Sequence, residues 1–293
     1  AAFIHGRVTE NIYVHQPRGF HRGHGDEVLK LKRTLYGLKQ SPRYFFEYFT
    51  ERLLKQGLTA SQFDPCLFMS KTLIVIIYVD DILIFSPDLS SHVDHLREVL
   101  ELCRLHGLTI GLPKCEFAVS EVEFLGHNLS SSGCKPLVKH TAVIGEFPVP
   151  SDKPALQRFL GMINFYRKFI KNAALILAPL TDALKGPGKR IVWTPGMDAA
   201  FHQAKRLLSA VPTLAHPAPG SDISVAVDAS ESHVGAVFQQ QVGRDWVPLS
   251  FYSRKLNEAE KKYSAFDREL LAAYSAVRHF RFMLEGRDFT IFT

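Results

Sequence analysis

The chain has 293 residues, 46% hydrophobic and 22% charged, a globular balance that excludes extended disorder and fibrous repeats and leaves room for two or three modest domains. The formal net charge of +6 suits a polyanionic partner, because cations that neutralise phosphates release counterions; many basic proteins nonetheless bind no nucleic acid. Cys66, Cys103, Cys115 and Cys134 form no C-x-x-C pair, so no zinc site or disulfide framework is legible and a reducing, intracellular setting is expected. The longest apolar run, Leu73 to Val79, falls far short of the roughly 20 residues of a membrane helix, and no secretory leader is recognisable.

In chain order, residues 1–30 read as irregular. A helix follows Pro42, with Phe45, Tyr48, Phe49 and Leu53 near helical spacing and Gly57 as its stop. Leu73 to Phe85 reads as a hairpin with Asp80 and Asp81 at its turn. Ser90 or Ser91 is expected to cap a helix whose stripe is Val93, Leu96, Leu100 and Cys103, ended by Gly107. Val122 to Leu129 with the turn signal Ser131-Ser132-Gly133 reads as another hairpin. Ser151 should begin an amphipathic helix along Leu156, Phe159, Leu160, Ile163, Tyr166, Phe169 and Ile170. Lys185 to Lys189 is a linker by composition, followed by a short helix from Phe201 to Leu208 and a proline-rich passage.

Ile223, Val225 and Val227 alternate as a strand that delivers Asp228. Val234–Gln239 and Val247–Tyr252 are further strands. Asn257 with Glu260 resembles a capping box, expected to start a long helix through Tyr263, Phe266, Leu270, Tyr274, Val277 and Phe280. Residues 288–293 alternate as an unfinished strand, so the chain reads as a fragment. Histidines, including His92 and His95 on one helix face, lack an acid or cysteine cluster for zinc and are expected solvated or partly buried. The aromatic run Tyr44, Phe45, Phe46, Tyr48 and Phe49 has the spacing of a packed core rather than of a base-stacking platform.

Two acidic pairs carry candidate chemistry. Asp80 and Asp81 lie between apolar runs; adjacent like charges repel, and a divalent cation resolves the conflict. Two such ions would clamp the attacking and leaving oxygens of a phosphoryl displacement. The bare pair is equally compatible with an ordinary turn that uses Asp. Asp228 at a strand end and Glu269 on a helix form a second plausible ion site, or else a turn Asp and a solvated helix Glu.

Tyr78-Val79-Asp80-Asp81 resembles the Y-x-D-D motif of reverse transcriptases. Ala2 to Gly6, Ile12 to Phe20, Leu35 to Arg43 and Asp64 to Phe68 are similar, in order, to copia-type elements of that family. The resemblance implies Asp80 and Asp81 as ligands of Mg²⁺ or Mn²⁺, Tyr78 and Val79 beside the primer terminus, and Gly37, Lys39, Gln40 and Pro42 on the nucleotide and template side. Phe3 matches the aromatic that closes the ribose pocket, though a core aromatic reads the same. A third palm carboxylate is expected just upstream of Ala1, outside the chain.

Beyond about Phe85 the resemblance changes. Gly111 to Phe117, Val122 to His127, Phe159 to Met162, Asn164 to Arg167 and Pro179 to Thr181 are similar to gypsy-type elements. This implies a primer-gripping hairpin at Phe124, Leu125, Gly126 and His127, a pyrophosphate-facing role for Lys114 (otherwise a surface lysine), and a thumb containing the helix from Ser151. Ala215 to Pro217, Asp228 to Ser230, Gly235 to Val237, Ser253-Arg254, Tyr263-Ser264 and Glu269 to Ala272 resemble the gypsy RNase H-like domain, whose two-metal hydrolysis would use Asp228 and Glu269 with two further acids expected beyond Thr293.

The chain is thus expected to be an α+β retrotransposon Pol segment. Residues 1–135 would form a partial palm with a ferredoxin-like sheet and helices, 136–190 a helical thumb or connection, and 191–293 a C-terminally truncated RNase H-like α/β domain. Expected partners are RNA template, DNA primer, RNA–DNA hybrid and deoxynucleoside triphosphates, with no membrane, in the cytoplasm (virus-like particle) or nucleus. Activity of the fragment is expected to be impaired; a non-catalytic nucleic-acid-binding remnant is the alternative. A seam between unmatched lineages near residue 85 further predicts low stability, against which a cooperative melt well above about 55 °C would count.

Overall fold

The computed structural model describes residues 2–20, 22–23 and 27–293. The chain forms two compact units, Ala1–Val119 and Ser120–Thr293.

In the first unit, the region read as irregular contains a 3-10 turn, Ala2–His5, and an antiparallel pair, β1 (Tyr13–His15) and β2 (Val28–Lys30). Helix α1 (Ser41–Lys55) starts with proline in its first turn, where the missing N–H costs nothing. It buries Phe45, Phe49 and Leu53 one turn apart. Strands β3 (Thr59–Ala60), β4 (Leu67–Met69), β5 (Ile74–Tyr78) and β6 (Asp81–Phe85) form an antiparallel sheet in sequential order. Helix α2 (Leu89–Leu105) follows. Both helices close alike: Gly57 and Gly107 adopt positive φ, and the next amide reaches back to Leu53 and Cys103 respectively. Phe68, Val75 and Ile77 from the sheet pack with Phe45, Phe49 and Leu53, and with Val99, Leu102 and Cys103, in one core. That core therefore closes across residue 85, where a change of resemblance is expected from the sequence.

Two expectations for α2 need correction. Asp88, not Ser90 or Ser91, caps it, accepting from the Ser91 amide. The buried face is His95, Val99, Leu102 and Cys103, while Val93 and Leu100 are exposed. The helix turns a histidine inward because both ring nitrogens are satisfied there, Nε2 by Thr72 Oγ1 at 3.0 Å and Nδ1 by Ser86 Oγ at 2.8 Å. His95 is buried, and so is His233 on β11, where solvated or partly buried histidines were expected.

The second unit opens with a meander, β7 (Glu121–Phe124), β8 (His127–Ser130) and β9 (Gly133–Pro136). It has two turns, at Leu125-Gly126, where the resemblance implied a hairpin, and at Ser131-Ser132, where composition signalled one. Helices α3 (Val138–Gly145), α4 (Lys153–Phe165), α5 (Ala173–Ile176), α6 (Ala178–Asp182) and α7 (Pro195–Ser209) share one core around Phe159, Ile163, Phe169 and Phe201. Asp152, not Ser151, caps α4. Its stripe outlasts the helix, since Tyr166, Phe169 and Ile170 are buried although α4 ends at Phe165 and a 3-10 turn follows. Helix α7 runs longer than the predicted Phe201–Leu208 because Thr194 caps it at the Met197 amide.

Strands β10 (Ile223–Ala229), β11 (His233–Val242) and β12 (Asp245–Lys255) are antiparallel neighbours. After helices α8 (Ala265–His279) and α9 (Arg281–Leu284), strand β13 (Thr290–Phe292) returns parallel to β10, giving the order β12-β11-β10-β13. The Asn257–Glu260 capping box forms, but it caps a 3-10 turn; Ser264 and Asp267 start the long helix. Tyr263, Phe266, Leu270 and Tyr274 are exposed. The face against the sheet carries Ala272 and Ala276, small residues that let α8 approach closely, with Phe280 packed just past its end.

Candidate active sites and nucleic-acid contacts

Asp80 and Asp81 lie at the tip of the β5–β6 hairpin. Tyr78 pairs with Asp81, so Val79 and Asp80 form a two-residue turn. The first position of such a turn favours a left-handed backbone, and Val79 takes φ 57°. For a β-branched side chain this conformation is strained, at a cost on the order of 1–3 kcal/mol. Packing retains it, because Val79 and Ile82 lie against the same core that holds Phe3, Phe45 and Ile77. Both carboxylates are exposed, and among the described residues neither accepts a hydrogen bond nor joins an ion pair. Adjacent, unpaired and presented to solvent, they fit partial ligation of Mg²⁺, which keeps water and substrate phosphates as its other ligands.

Phe3 is 7% exposed. Its ring lies 4.5 Å from that of Tyr36 and edge-on to Phe45. The structure thus joins it to the Leu35–Arg43 segment but seats it in the core. In that segment Gly37 takes φ 93°, Gln40 is the residue before α1, Pro42 is in the helix's first turn, and Lys39 is exposed. Lys114 ends a 3-10 turn, Leu112–Lys114, with its side chain in solvent.

The Phe124-Leu125-Gly126-His127 segment is also a two-residue turn, with Phe124 paired to His127 and positive φ at both Leu125 and Gly126. A Cβ on Gly126 would fall 2.9 Å from the Phe165 ring, so the turn rests directly on the end of α4. Tyr166 fastens it: its hydroxyl donates to the Gly126 carbonyl at 2.9 Å. A phenol has one hydrogen, so the His140 Nδ1 contact at 2.9 Å is read as Nδ1–H donating to the phenol oxygen. His127 packs among Phe165, Tyr166 and Phe169. Burial, aided by the charge of Lys168, holds its pKa below the ordinary histidine value. The sequence placed Tyr166 on a core stripe; its role under the turn follows only from the fold.

At the end of β10, Asp228 is exposed and pairs with Gly235. Glu269 arrives from α8 and its Oε1 accepts the Ala229 amide at 3.3 Å. Its Oε2 is buried and has no partner. An orphaned carboxylate oxygen held at Ala229, the residue next to Asp228 in the chain, is donor chemistry that suits a divalent cation. Among the described residues no three His, Cys, Asp or Glu side chains converge, so this chain supplies two acids at each place. Arg254 braces the region, donating both guanidinium ends to Glu260 at 2.7 and 3.0 Å and one to Ser275 on α8 at 3.2 Å.

Comparison with known proteins matches residues 1–107 to the family described as reverse transcriptase (RNA-dependent DNA polymerase). Residues 193–291 match the RNase H-like domain found in reverse transcriptase. The chain is 34% identical over 252 residues to the transposon Tf2-3 polyprotein of Schizosaccharomyces pombe, which covers 86% of this chain and 18% of that protein. The Tf2-7 polyprotein of the same organism is 33% identical over the same length. Among solved structures, a foamy viral protease-reverse transcriptase in complex with dsDNA has a TM-score of 0.74 at 23% identity, covering 89% of this chain and 52% of that one. Another, in complex with an RNA/DNA hybrid, has a TM-score of 0.73 at 21% identity, covering 99% and 39%. These structural likenesses carry the fold alone: a mixed α/β chain that resembles the foamy viral protease-reverse transcriptase.

Proposed function

We propose that this chain, a retrotransposon Pol segment that joins reverse transcriptase sequence to an RNase H-like domain, serves RNA-directed DNA synthesis by two-metal phosphoryl transfer on a primer–template. Residues 1–135 act as partial palm, 136–190 as thumb or connection, and 191–293 as the RNase H-like part. The observation that carries the reading is the pair of unpaired, exposed carboxylates on a strained two-residue turn. Bound there, Mg²⁺ or Mn²⁺ would polarise a phosphoryl oxygen and neutralise developing charge. The chain's own contribution is to hold Asp80 and Asp81 at the ion, with Tyr78 and Val79 beneath the primer end. Gly37, Lys39, Gln40 and Pro42 face template and nucleotide, and Lys114 faces the departing pyrophosphate. The Phe124–His127 turn holds the primer backbone. Asp228 and Glu269 would hold the ion for hydrolysis of the RNA strand of a hybrid.

Among the described residues two acids stand at each place, so turnover by the 293-residue protein alone is impaired and binding outlasts catalysis. A primer-extension assay on an RNA template, run beside fluorescence anisotropy at several salt concentrations, tests this. Salt-dependent primer–template binding with little or no extension is expected. Robust extension that vanishes in Asp80→Asn would overturn the impairment, and absence of binding at low salt would overturn the assignment itself.

A further inference from the structure

Helix α2 has two faces. Its inner face is buried with His95, Val99, Leu102 and Cys103. Its outer face carries an apolar row of its own. Leu89, Val93, Leu96 and Leu100 follow one another at four, three and four residues, the spacing of a seam between two helices. Leu89 is 67% exposed, Val93 47% and Leu100 37%, and Leu96 is half-buried. The last three of the row, with Arg97, Glu101 and Arg104, line an open groove of about 420 Å³.

Charge runs along one edge of this row. Asp94, Arg97, Glu101 and Arg104 alternate in sign along the helix. Read backwards, the order of signs inverts, so an antiparallel copy presents an opposite charge to each residue. When Arg97 is level with Glu101 of a second copy, Arg104 is level with that copy's Asp94. The same register puts each Leu100 midway between the other copy's Leu96 and Leu100, where side chains interdigitate. It also sets Val93 against the other copy's Leu105, which is 63% exposed. Within one chain Arg97 pairs with Asp94 at 2.7 Å and Arg104 with Glu101. All four of these side chains are exposed, and exposed pairs contribute little to stability. Exchanging them for pairs between two copies therefore costs little.

We propose that the outer face of α2 pairs antiparallel with the same face of a second copy of this chain. Leu96 and Leu100 form the apolar centre, and the alternating charges fix direction and register. The pair is isologous and closes on a two-fold axis, so it stops at two copies. One helix face is a small contact, at the transient end of interface sizes, and the dimer is correspondingly weak, with Kd in roughly the 10–100 µM range.

The test is sedimentation equilibrium of the intact chain over roughly 2–200 µM, a span that brackets the expected Kd. Salt at about 0.15 M screens the mutual repulsion of two basic chains. Passage from monomer to dimer is expected. Leu100→Ala should weaken association about tenfold or more, because both copies lose an apolar contact. Arg97→Glu and Glu101→Arg should each weaken it about fivefold or more, since each sets like charges level across the pair. An equimolar mixture of those two variants should recover the parent's association, because one copy is then acidic at both positions and the other basic. Recovery also shows that both variants are folded. A parent chain that stays monomeric throughout would overturn the proposal and leave the face to another segment or another protein. Association indifferent to Leu100→Ala would put the dimer on a different face and overturn it equally. A mixture as weak as its components would overturn the antiparallel pairing.

Discussion

The two acidic pairs are assembled by opposite routes. Asp80 and Asp81 are neighbours in sequence, raised on a turn whose strain is stored at Val79. Asp228 and Glu269 come from a strand end and a helix, and their link runs through the Ala229 amide, 40 residues from Glu269. The first pair needs only a hairpin and a core beneath it. The second needs α8 docked at the right height on β10, so it should be the more sensitive to changes in packing and in bound ions.

The largest difference should appear in chemistry. Any primer extension this chain supports, in Mg²⁺ or Mn²⁺, should fall at least about 100-fold in Asp80→Asn, as loss of a metal ligand removes charge stabilisation. Asp228→Asn should leave extension unchanged. An equal loss in both variants, read on one gel, would show that the sites are not separable. Next comes ion-linked stability. Mn²⁺ at about 100 times its dissociation constant should add about 2.7 kcal/mol. Glu269→Gln should remove most of that gain, yet melt higher than the parent in chelator, because a buried charged oxygen without a partner is replaced by a neutral one. A variant that melts lower under both conditions in a thermal scan would exclude an ion at Glu269.

A smaller effect is expected at the first turn. Val79→Gly releases left-handed strain but adds backbone entropy to the unfolded chain, for a net gain of about 1 kcal/mol by urea unfolding. A loss would mean that Val79's packing outweighs its conformation. The smallest contrast concerns acid. Burial lowers the pKa of His127, His233 and His279 in the second unit, and of His5 in the first. A depressed histidine favours the neutral form in the fold, so its full contribution is present above the unfolded value near 6.5. It is lost as pH falls from there through the folded pKa. Amide exchange between pH 7 and 5 should therefore loosen the second unit before the first; the reverse order would point to other groups.

Much of this was legible because it is local. Phe45, Phe49 and Leu53 announce α1 by spacing, and the alternation of Ile223, Val225 and Val227 announces β10. The α2 stripe misled because hydrophobicity alone cannot foresee that Thr72 and Ser86 satisfy a buried His95. The α8 aromatics misled for a related reason: the sheet accepts the helix face with the smallest side chains, leaving Phe266 77% exposed. Asn257 and Glu260 showed a real cap, but the helix it heralds begins a turn later, at a second cap.

By itself the sequence determined the family resemblance, the two acidic pairs and most helices and strands, since motifs, periodicity and caps act over a few residues. Only the tertiary structure decided that Glu269 keeps an unpartnered oxygen beside β10, that Tyr166 supports the Gly126 turn, and that Val93 and Leu100 on α2 are left exposed. Those facts depend on which face of each helix docks and how closely, a matter of packing between residues far apart in the chain.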